Sequence, residues 1–211
     1  MKLRLIISLA AVSLLLQACT LPWDTQKSGN VLYKDDFSNA TSGWDRVEET
    51  DRATDYVAGV YRILVKGKNI DVWARPGLSF GDVRVEVEGT KAGGDDNNDF
   101  GVICRYQDDQ NFYFLVISSD GYYGIAKRKE GQVSLLGNTV MVSSDQIKQG
   151  AATNHLRADC VGTTLRLFIN EVMVFETQDA DYHQGDVGLL AGSFDNPGTE
   201  ILFDNFAVLK P

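Results

Sequence analysis

The stretch that decides the fold is Val83-Arg84-Val85-Glu86-Val87-Glu88, in which apolar and charged residues alternate strictly. A period of two places one kind of side chain on each face of a β-strand, so this stretch predicts a half-buried strand. The same alternation recurs at 155–161 and, after Gly162-Thr163, at 165–169. Three strands of one kind within a short length of chain favour an antiparallel sheet with one face in a core.

The rest of the chain continues this pattern of short strands between turn residues. Turn signals every ~8–12 residues are typical of a β-sandwich or barrel. Helical periodicity is nearly absent, and the best helical candidate is a single turn at 144–149. The sequence therefore predicts an all-β fold, a two-sheet antiparallel β-sandwich. The other predicted strands are 56–65, 70–74, 101–106, 112–118, 122–128, 172–176, 186–191 and 201–209.

The first 18 residues have the parts of an export signal. Lys2 and Arg4 form a basic start, and an apolar run follows at 5–16. The run is too short to cross a membrane as a helix, because a span needs ~20 apolar residues. We therefore predict a signal peptide at 1–18 and exclude it from the reasoning about the fold.

The segment Leu16-Gln17-Ala18-Cys19 matches a lipobox, the site at which bacteria attach lipid to a cysteine and cleave before it. It predicts lipidation of Cys19, a tether at 19–30 and a folded domain at 31–211. Two or more acyl chains hold a protein stably on a membrane, so this anchor would suffice alone. The predicted location is extracytoplasmic, anchored to a bacterial membrane. The alternative is an ordinary secretory signal with cleavage near Thr20.

The net charge narrows the classes of binding partner. The formal net charge of −9 argues against nucleic acid and against anionic membrane surfaces, and it permits cation binding.

The cysteine content predicts a cross-link. With Cys19 acylated, one pair of cysteines remains, and export makes a Cys104–Cys160 disulfide plausible. The alternative is two buried free thiols that pack as small apolar groups.

A set of motifs spreads over the predicted domain, at 35–38, 42–44, 99–106, 111–114, 118–124, 165–170 and 203–206. With these motifs the chain resembles the concanavalin A-like jelly-roll domains of the lectin and glucanase superfamily. More narrowly, it is similar to laminin-G-like and 3-keto-disaccharide hydrolase-type domains of bacterial exported proteins. The resemblance implies the fold but no single function, because the superfamily includes lectins, glycanases, adhesion modules and proteins with no assigned role.

Few residues of the sequence match the spacing of a known catalytic site. Retaining glycanases need two carboxylates ~5–5.5 Å apart, and the glucanase branch of the superfamily uses Glu-x-Asp-x-x-Glu for this. The chain offers Glu86 and Glu88, but Lys91 stands where the last acid should be. His155 and His183 are the only histidines, and we interpret both as surface polar residues.

Sugar binding needs flat aromatic faces beside polar groups. If Cys104 faces inward, the alternation along its strand brings Tyr106 inward as well and turns Arg105 to an exposed or groove face. The alternative is that most of the candidate aromatic side chains fill the core, as we predict for Trp44. The candidate ligand-binding residues are Trp73, Arg105, Tyr106, Tyr113, Tyr122 and Tyr123.

Two acidic groups could bind calcium, which takes 6–8 oxygen ligands. One is the run at 95–99, and the other would form in space from Asp35 or Asp36 and Asp204, at the first and last strands. The alternatives are a solvated turn and a pair of strand-end caps.

The sequence thus predicts a lipoprotein whose single domain binds a glycan or another cell-surface component without catalysis. A carbohydrate hydrolase of the 3-keto-disaccharide type and a structural, partner-binding lipoprotein stay open as alternatives. No nucleic acid partner is expected, membrane contact would be through the lipid anchor only, and the oligomeric state is open.

Overall fold

Sixteen strands and no helix make up residues 30–211, the part of the chain that the computed structural model describes. The predicted signal peptide, Cys19 and nearly all of the predicted tether lie outside the described residues. In chain order the strands are β1 (Val31–Asp35), β2 (Val47–Glu48), β3 (Arg52–Val57), β4 (Val60–Val65), β5 (Ile70–Ala74), β6 (Val83–Gly93), β7 (Asn98–Asp108), β8 (Asn111–Ile117), β9 (Tyr122–Lys129), β10 (Gln132–Leu135), β11 (Val142–Ser143), β12 (Thr153–Val161), β13 (Thr164–Ile169), β14 (Val172–Gln178), β15 (Asp186–Ser193) and β16 (Thr199–Leu209).

The strands form two antiparallel sheets. The nine-stranded sheet has the order β14-β13-β12-β6-β16-β4-β3-β2, and β1 pairs with the second half of β16. The seven-stranded sheet has the order β10-β9-β8-β7-β15-β5, with β11 also paired to β9. Distant parts of the chain thus become neighbours, since β15 lies between β5 and β7. The predicted all-β, two-sheet sandwich is confirmed.

One apolar core lies between the sheets, and both sheets contribute alternate residues to it. Val83, Val85 and Val87 of β6 are buried, whereas the charged residues between them face outward. The half-buried strand predicted from this stretch is confirmed. Trp44 is also buried, edge-on against Phe206 with ring centroids 4.8 Å apart, as predicted for a core residue.

A disulfide between Cys104 of β7 and Cys160 of β12 connects the two sheets, with Cα atoms 6.8 Å apart. These are the two cysteines that remained once Cys19 was set aside. A cross-link of this kind typically stabilises a fold by about 2–4 kcal/mol.

One smaller expectation about the backbone turns out differently. The helical turn predicted at 144–149 is an ordinary turn, in which Ile147 N–H donates to the Ser144 carbonyl.

Within residues 30–211, no helix is long and apolar enough to cross a membrane.

Candidate functional site

The outer face of the seven-stranded sheet carries a second apolar cluster, separate from the core between the sheets. An antiparallel sheet usually has one face on the core and a polar face toward water, so a second apolar layer calls for an explanation. The buried members of the cluster are Ile103, Tyr106, Phe112, Phe114, Val116, Ala126 and Leu190, with Trp73, Leu135 and Met141 packed against them.

Two long side chains from distant strands meet across this face. Trp73 lies on β5 and Arg128 on β9, with three strands between them. In a flat sheet the backbones of these two strands would lie about 19 Å apart. The two side chains lean toward each other, so that the Arg128 Cζ atom is 5.4 Å from the centroid of the Trp73 ring. We call this face the groove; Ile103 and Leu190 on it are completely buried.

Aromatic rings continue from Trp73 along one side of the groove. The Trp73 and Phe112 centroids are 5.3 Å apart, and Phe112 stacks on Tyr106 at 5.4 Å. Asp109 accepts hydrogen bonds from Trp73 Nε1 and from the Tyr106 hydroxyl. Burial, together with this bond to Asp109, raises the pKa of Tyr106 to about 12. The Arg75 guanidinium covers the far face of Tyr106, 3.9 Å from its centroid, so this end of the groove is filled.

Two carboxylates face each other on the same groove surface. Asp71 of β5 and Asp99 of β7 both lie in register with Gly192 on the intervening strand β15. The Oδ1 atoms of both lie within 2.5 Å of the point where a Cβ atom on Gly192 would stand. Glycine at this position thus lets the two carboxylates come together, and we call them the acid pair.

The acid pair is electrostatically unusual. Burial, reinforced by the Asp71 charge, raises the pKa of Asp99 to about 8. Burial also raises the pKa of Asp71, while the Arg128 charge opposes that rise. Asp99 is only 7% exposed, and its Oδ1 has no hydrogen-bond partner within residues 30–211. Two adjacent carboxylates of this kind share a proton rather than both ionise near neutral pH.

An open hollow of about 390 Å³ lies at the ends of β7, β9 and β15. Asn97 directly precedes β7 and Phe194 directly follows β15, the strands that carry Asp99 and Gly192. Tyr122 and Phe194 are 43% and 37% exposed, which makes them the accessible aromatic rings of this region. The hollow is lined by Asn97, Asn98, Ser118, Asp120, Tyr122, Met141 and Phe194.

Trp73 and Tyr106 lie on the groove face among the predicted ligand-binding residues, but Tyr113 and Tyr123 do not. Both of the latter are buried in the core between the sheets. The Tyr113 hydroxyl donates to the Asp179 carboxylate and accepts from Tyr182 N–H. Tyr113 and Tyr123 are therefore corrected to structural residues. Strand alternation turns Tyr122, next to Tyr123, to the groove instead.

The prediction that Arg105 faces a groove is wrong, and so is the pairing of Tyr106 with Cys104 on one face. The register of β7 shifts at this point, and Arg105 has a positive φ of 55°. This bulge breaks the alternation, so Tyr106 turns outward and Arg105 turns in. The Arg105 guanidinium, 1% exposed, donates to the Tyr182 carbonyl at 2.9 Å and to Asp82 at 3.1 Å.

The predicted calcium ligands lie apart from the groove. Asp36 is exposed, and hydrogen bonds from Ser38 N–H and Oγ lower the pKa of its carboxyl. Asp204 pairs in register with Glu88 on the nine-stranded sheet. Residues 30–211 contain no group of three or more side chains arranged to hold a metal ion. Calcium stays a prediction, with Asp36 as a turn-forming residue in the structure.

The remaining acidic and histidine candidates are also away from the groove, with one exception. Glu86 and His155 face outward on the nine-stranded sheet, and His183 is exposed. In the acidic run at 95–99, Asp95 caps a turn by accepting from Asn97 N–H at 2.9 Å. Asp99, the last residue of that run, is the exception, because it belongs to the acid pair.

No protein-family model matches the chain, and no curated protein matches it. Solved structures do match. The carbohydrate-binding module CBM66 from Bacillus subtilis has a TM-score of 0.65 at 16% identity, over 80% of this chain and 96% of the module. A β-glucanase from Bacillus licheniformis has a TM-score of 0.58 at 9% identity, over 88% of this chain and all of the enzyme (100%). The fold is a concanavalin A-like jelly roll.

A third match to this jelly roll is a galectin-like protein of unknown function from Bacillus subtilis, with a TM-score of 0.61 at 10% identity. It covers 86% of this chain and 96% of its own. At such identities the likeness shows the fold alone.

Proposed function

We propose that this jelly roll binds a glycan, without cleaving it, in the groove of the seven-stranded sheet. The observation that carries the proposal is the hollow, where two exposed aromatic rings stand beside amide, hydroxyl and carboxylate groups. Sugars offer apolar ring faces and many hydroxyl groups, and such a mixture of aromatic and polar groups suits both. That solved carbohydrate-binding and glucanase structures share the fold is consistent with this choice.

The two rings have distinct expected roles. Tyr122 lies at the start of β9 and Phe194 directly follows β15, and both line the hollow. Each can stack on one face of a sugar ring. Asn97 and Asp120 then supply donors and acceptors for hydroxyl groups at the ring edge. The partly buried ring of Trp73 and the buried ring of Phe112 pack in the apolar cluster and do not line the hollow.

Glycoside cleavage is the second candidate, because the acid pair places two carboxylates in the groove. A retaining enzyme holds its two carboxyl groups ~5–5.5 Å apart, with the glycosidic bond between them. Here both Oδ1 atoms crowd the same point above Gly192, and Asp99 is almost inaccessible. The pair therefore leaves no room for a glycosidic bond between its carboxyl groups. Release of reducing ends from the glycans that bind would overturn this choice.

A glycan array probed with the full chain, purified in detergent, tests the proposed function. We expect binding of a defined glycan class, with affinity at least tenfold lower for Tyr122→Ala and for Phe194→Ala. The matched control is Val172→Ala, which shortens an equally exposed apolar side chain in β14 of the other sheet. Loss of binding in the control, or no binding at all, would contradict the proposal. Parallel runs with calcium and with chelator test the predicted calcium dependence.

We also propose that the chain is displayed outside the cytoplasm on a lipid anchor at Cys19. The support is the lipobox and the export signal, both from the sequence. In bacteria expressing the chain, metabolic labelling with a fatty acid should mark the wild type and not Cys19→Ser. Equal labelling of both would refute the anchor, while a shortened unlabelled chain would point to the ordinary secretory signal.

A further inference from the structure

The hollow offers a ligand charge of one sign. In the part of the chain that the structure describes, Asp120 is the one lining residue with a charged side chain near neutral pH, since the others are asparagine, serine, methionine, tyrosine and phenylalanine. No lysine or arginine of residues 30–211 belongs to this lining. Asp195, which directly follows the lining residue Phe194, is exposed and acidic too. The hollow is therefore an acidic site on a chain whose net charge is already −9.

The Asp120 carboxylate is held in position, but the protein does not neutralise its charge. Ser118 Oγ donates to Asp120 Oδ1, and Tyr122 N–H donates to Ser118 Oγ at 3.0 Å. Ser118 is buried, whereas Asp120 is partly exposed at the hollow. None of the salt bridges within residues 30–211 includes Asp120. A cation in the hollow would meet an oriented carboxylate without having to displace a basic side chain.

The two accessible rings of the hollow, Tyr122 and Phe194, also suit a cation. The faces of aromatic rings attract positive charge, and more strongly where water is partly excluded. Elsewhere in residues 30–211, arginine side chains already lie over the rings of Tyr56, Trp73, Tyr106 and Phe168. In that part of the chain no arginine covers Tyr122 or Phe194, so a cationic ligand does not compete there with an arginine of the protein.

We propose that the glycan unit bound in the hollow is an amino sugar whose free amino group is protonated. This inference rests on the proposed glycan binding and adds the ligand class. The ammonium group, with three N–H donors, pairs with the Asp120 carboxylate, and the two charges strengthen the hydrogen bond between them. The apolar face of the sugar lies on Tyr122 or Phe194, whose ring also attracts the charge. An acetylated amino group has lost this charge, and a uronic acid is repelled by Asp120.

The test uses the full chain in detergent and an array on which each oligosaccharide is present in four forms, with an amino, N-acetylamino, hydroxyl or uronic acid group. We expect the amino form of one oligosaccharide to bind at least tenfold more tightly than its N-acetylamino and hydroxyl forms, and the uronic acid form not to bind. The variant Asp120→Asn keeps the side-chain shape and the acceptor for Ser118 Oγ, and it should bind the amino and hydroxyl forms equally. Glu130→Gln, at the opposite end of β9, removes the same unit of charge and should keep the preference of the wild type.

The possible results separate this inference from the proposed function. A glycan whose binding depends on Tyr122 but is equally tight in its amino and hydroxyl forms overturns the amino sugar and leaves glycan binding standing. A preference for amino forms that persists in Asp120→Asn also overturns it, because the net charge of the chain would then explain the preference. No binding of any form overturns both proposals.

A second comparison decides the case in which Asp120→Asn fails to fold, which its melting temperature shows. The wild type and Tyr122→Ala are then compared on the same four forms. A tenfold preference for the amino form that is lost in Tyr122→Ala supports the inference, because attraction to the net charge of the chain does not depend on one ring. A preference that Tyr122→Ala retains overturns it.

Discussion

The two outer faces of the sandwich each hold a nearly buried aspartate, and the surroundings of these two aspartates differ. On the nine-stranded sheet, Asp159 accepts from Arg157 at 2.6 Å and from Arg84 at 3.1 Å. On the seven-stranded sheet, Asp99 faces another acid and keeps one oxygen unpaired. A carboxylate that the protein satisfies itself serves the fold. Asp99 instead keeps a proton near neutral pH, because burial and the neighbouring Asp71 charge raise its pKa to about 8.

The same contrast applies to the apolar groups. The outer face of the nine-stranded sheet has scattered apolar residues among ion pairs, such as Phe168 beneath Arg157. The groove face of the seven-stranded sheet has a continuous second cluster under Trp73 and Arg128. The long side chains of Trp73 and Arg128 contribute to the difference, because they reach toward each other across three intervening strands.

The largest expected effect on stability comes from removing the Trp73 side chain, which packs on the apolar cluster of the groove. Trp73→Ala should lower the free energy of unfolding by about 3 kcal/mol, because it uncovers Phe112 and the buried floor. Phe168→Ala, which removes a partly exposed ring on the other face, should cost about 1 kcal/mol or less. Urea denaturation of both variants measures the difference. Equal losses would show that the two faces do not differ in packing.

The next largest effect on stability is expected at Gly192, where the carboxylates of Asp71 and Asp99 come together. Gly192→Ala places a Cβ atom against Oδ1 of both Asp71 and Asp99, so we expect a loss of about 2 kcal/mol. Gly81→Ala is the control, since its added Cβ meets nothing within 4 Å. Thermal unfolding of both variants is the measurement. A stable Gly192→Ala protein that still binds glycan would remove the structural reason for glycine at this position.

The pH dependence of stability should have opposite signs at the two aspartates. The pKa of Asp99 is raised to about 8, so the folded state holds a proton that the unfolded state has lost above pH ~4. Stability then falls as the pH rises toward 8, by about 1 kcal/mol between pH 7 and pH 9. Asp99→Asn should lack this loss. Urea titrations of the two proteins at pH 6, 7, 8 and 9 test it, and parallel curves would contradict it.

At Asp159, burial opposes ionisation, but hydrogen bonds and charge from Arg157 and Arg84 lower the pKa below its usual range. Its contribution is therefore present above the unfolded pKa and is lost as the pH falls through the folded value. Asp159→Asn should differ from the wild type near neutral pH and converge with it in acid. A difference that persists in strong acid would refute this account.

The smallest effect is expected at an exposed ion pair. Arg166 on β13 and Glu176 on β14 form a salt bridge on the nine-stranded sheet, with both side chains about a third or more exposed. A double-mutant cycle with Arg166→Gln and Glu176→Gln should give a coupling of about 0.5 kcal/mol or less. A coupling above ~1 kcal/mol would mean that the charged face is as strongly specified as the groove.

Much of the fold followed from local pattern, and part of the site did not. Alternation at 83–88 identified β6, because side-chain direction along a strand depends only on neighbouring residues. The same rule failed at Arg105, where the bulge in β7 reverses the alternation. It also assigned no separate roles to Tyr122 and Tyr123, although their opposite faces follow from alternation once one of them is known to be inward.

The sequence by itself determined the all-β class, the strands with clear alternation and the pair of cysteines left to form a cross-link. Only the tertiary structure decided the candidate site. Asp71, Asp99 and Gly192 lie far apart in the chain and meet because β15 inserts between β5 and β7. Trp73 and Arg128 meet across three intervening strands. Strand order depends on the packing of the whole sandwich, and no local stretch of sequence encodes it.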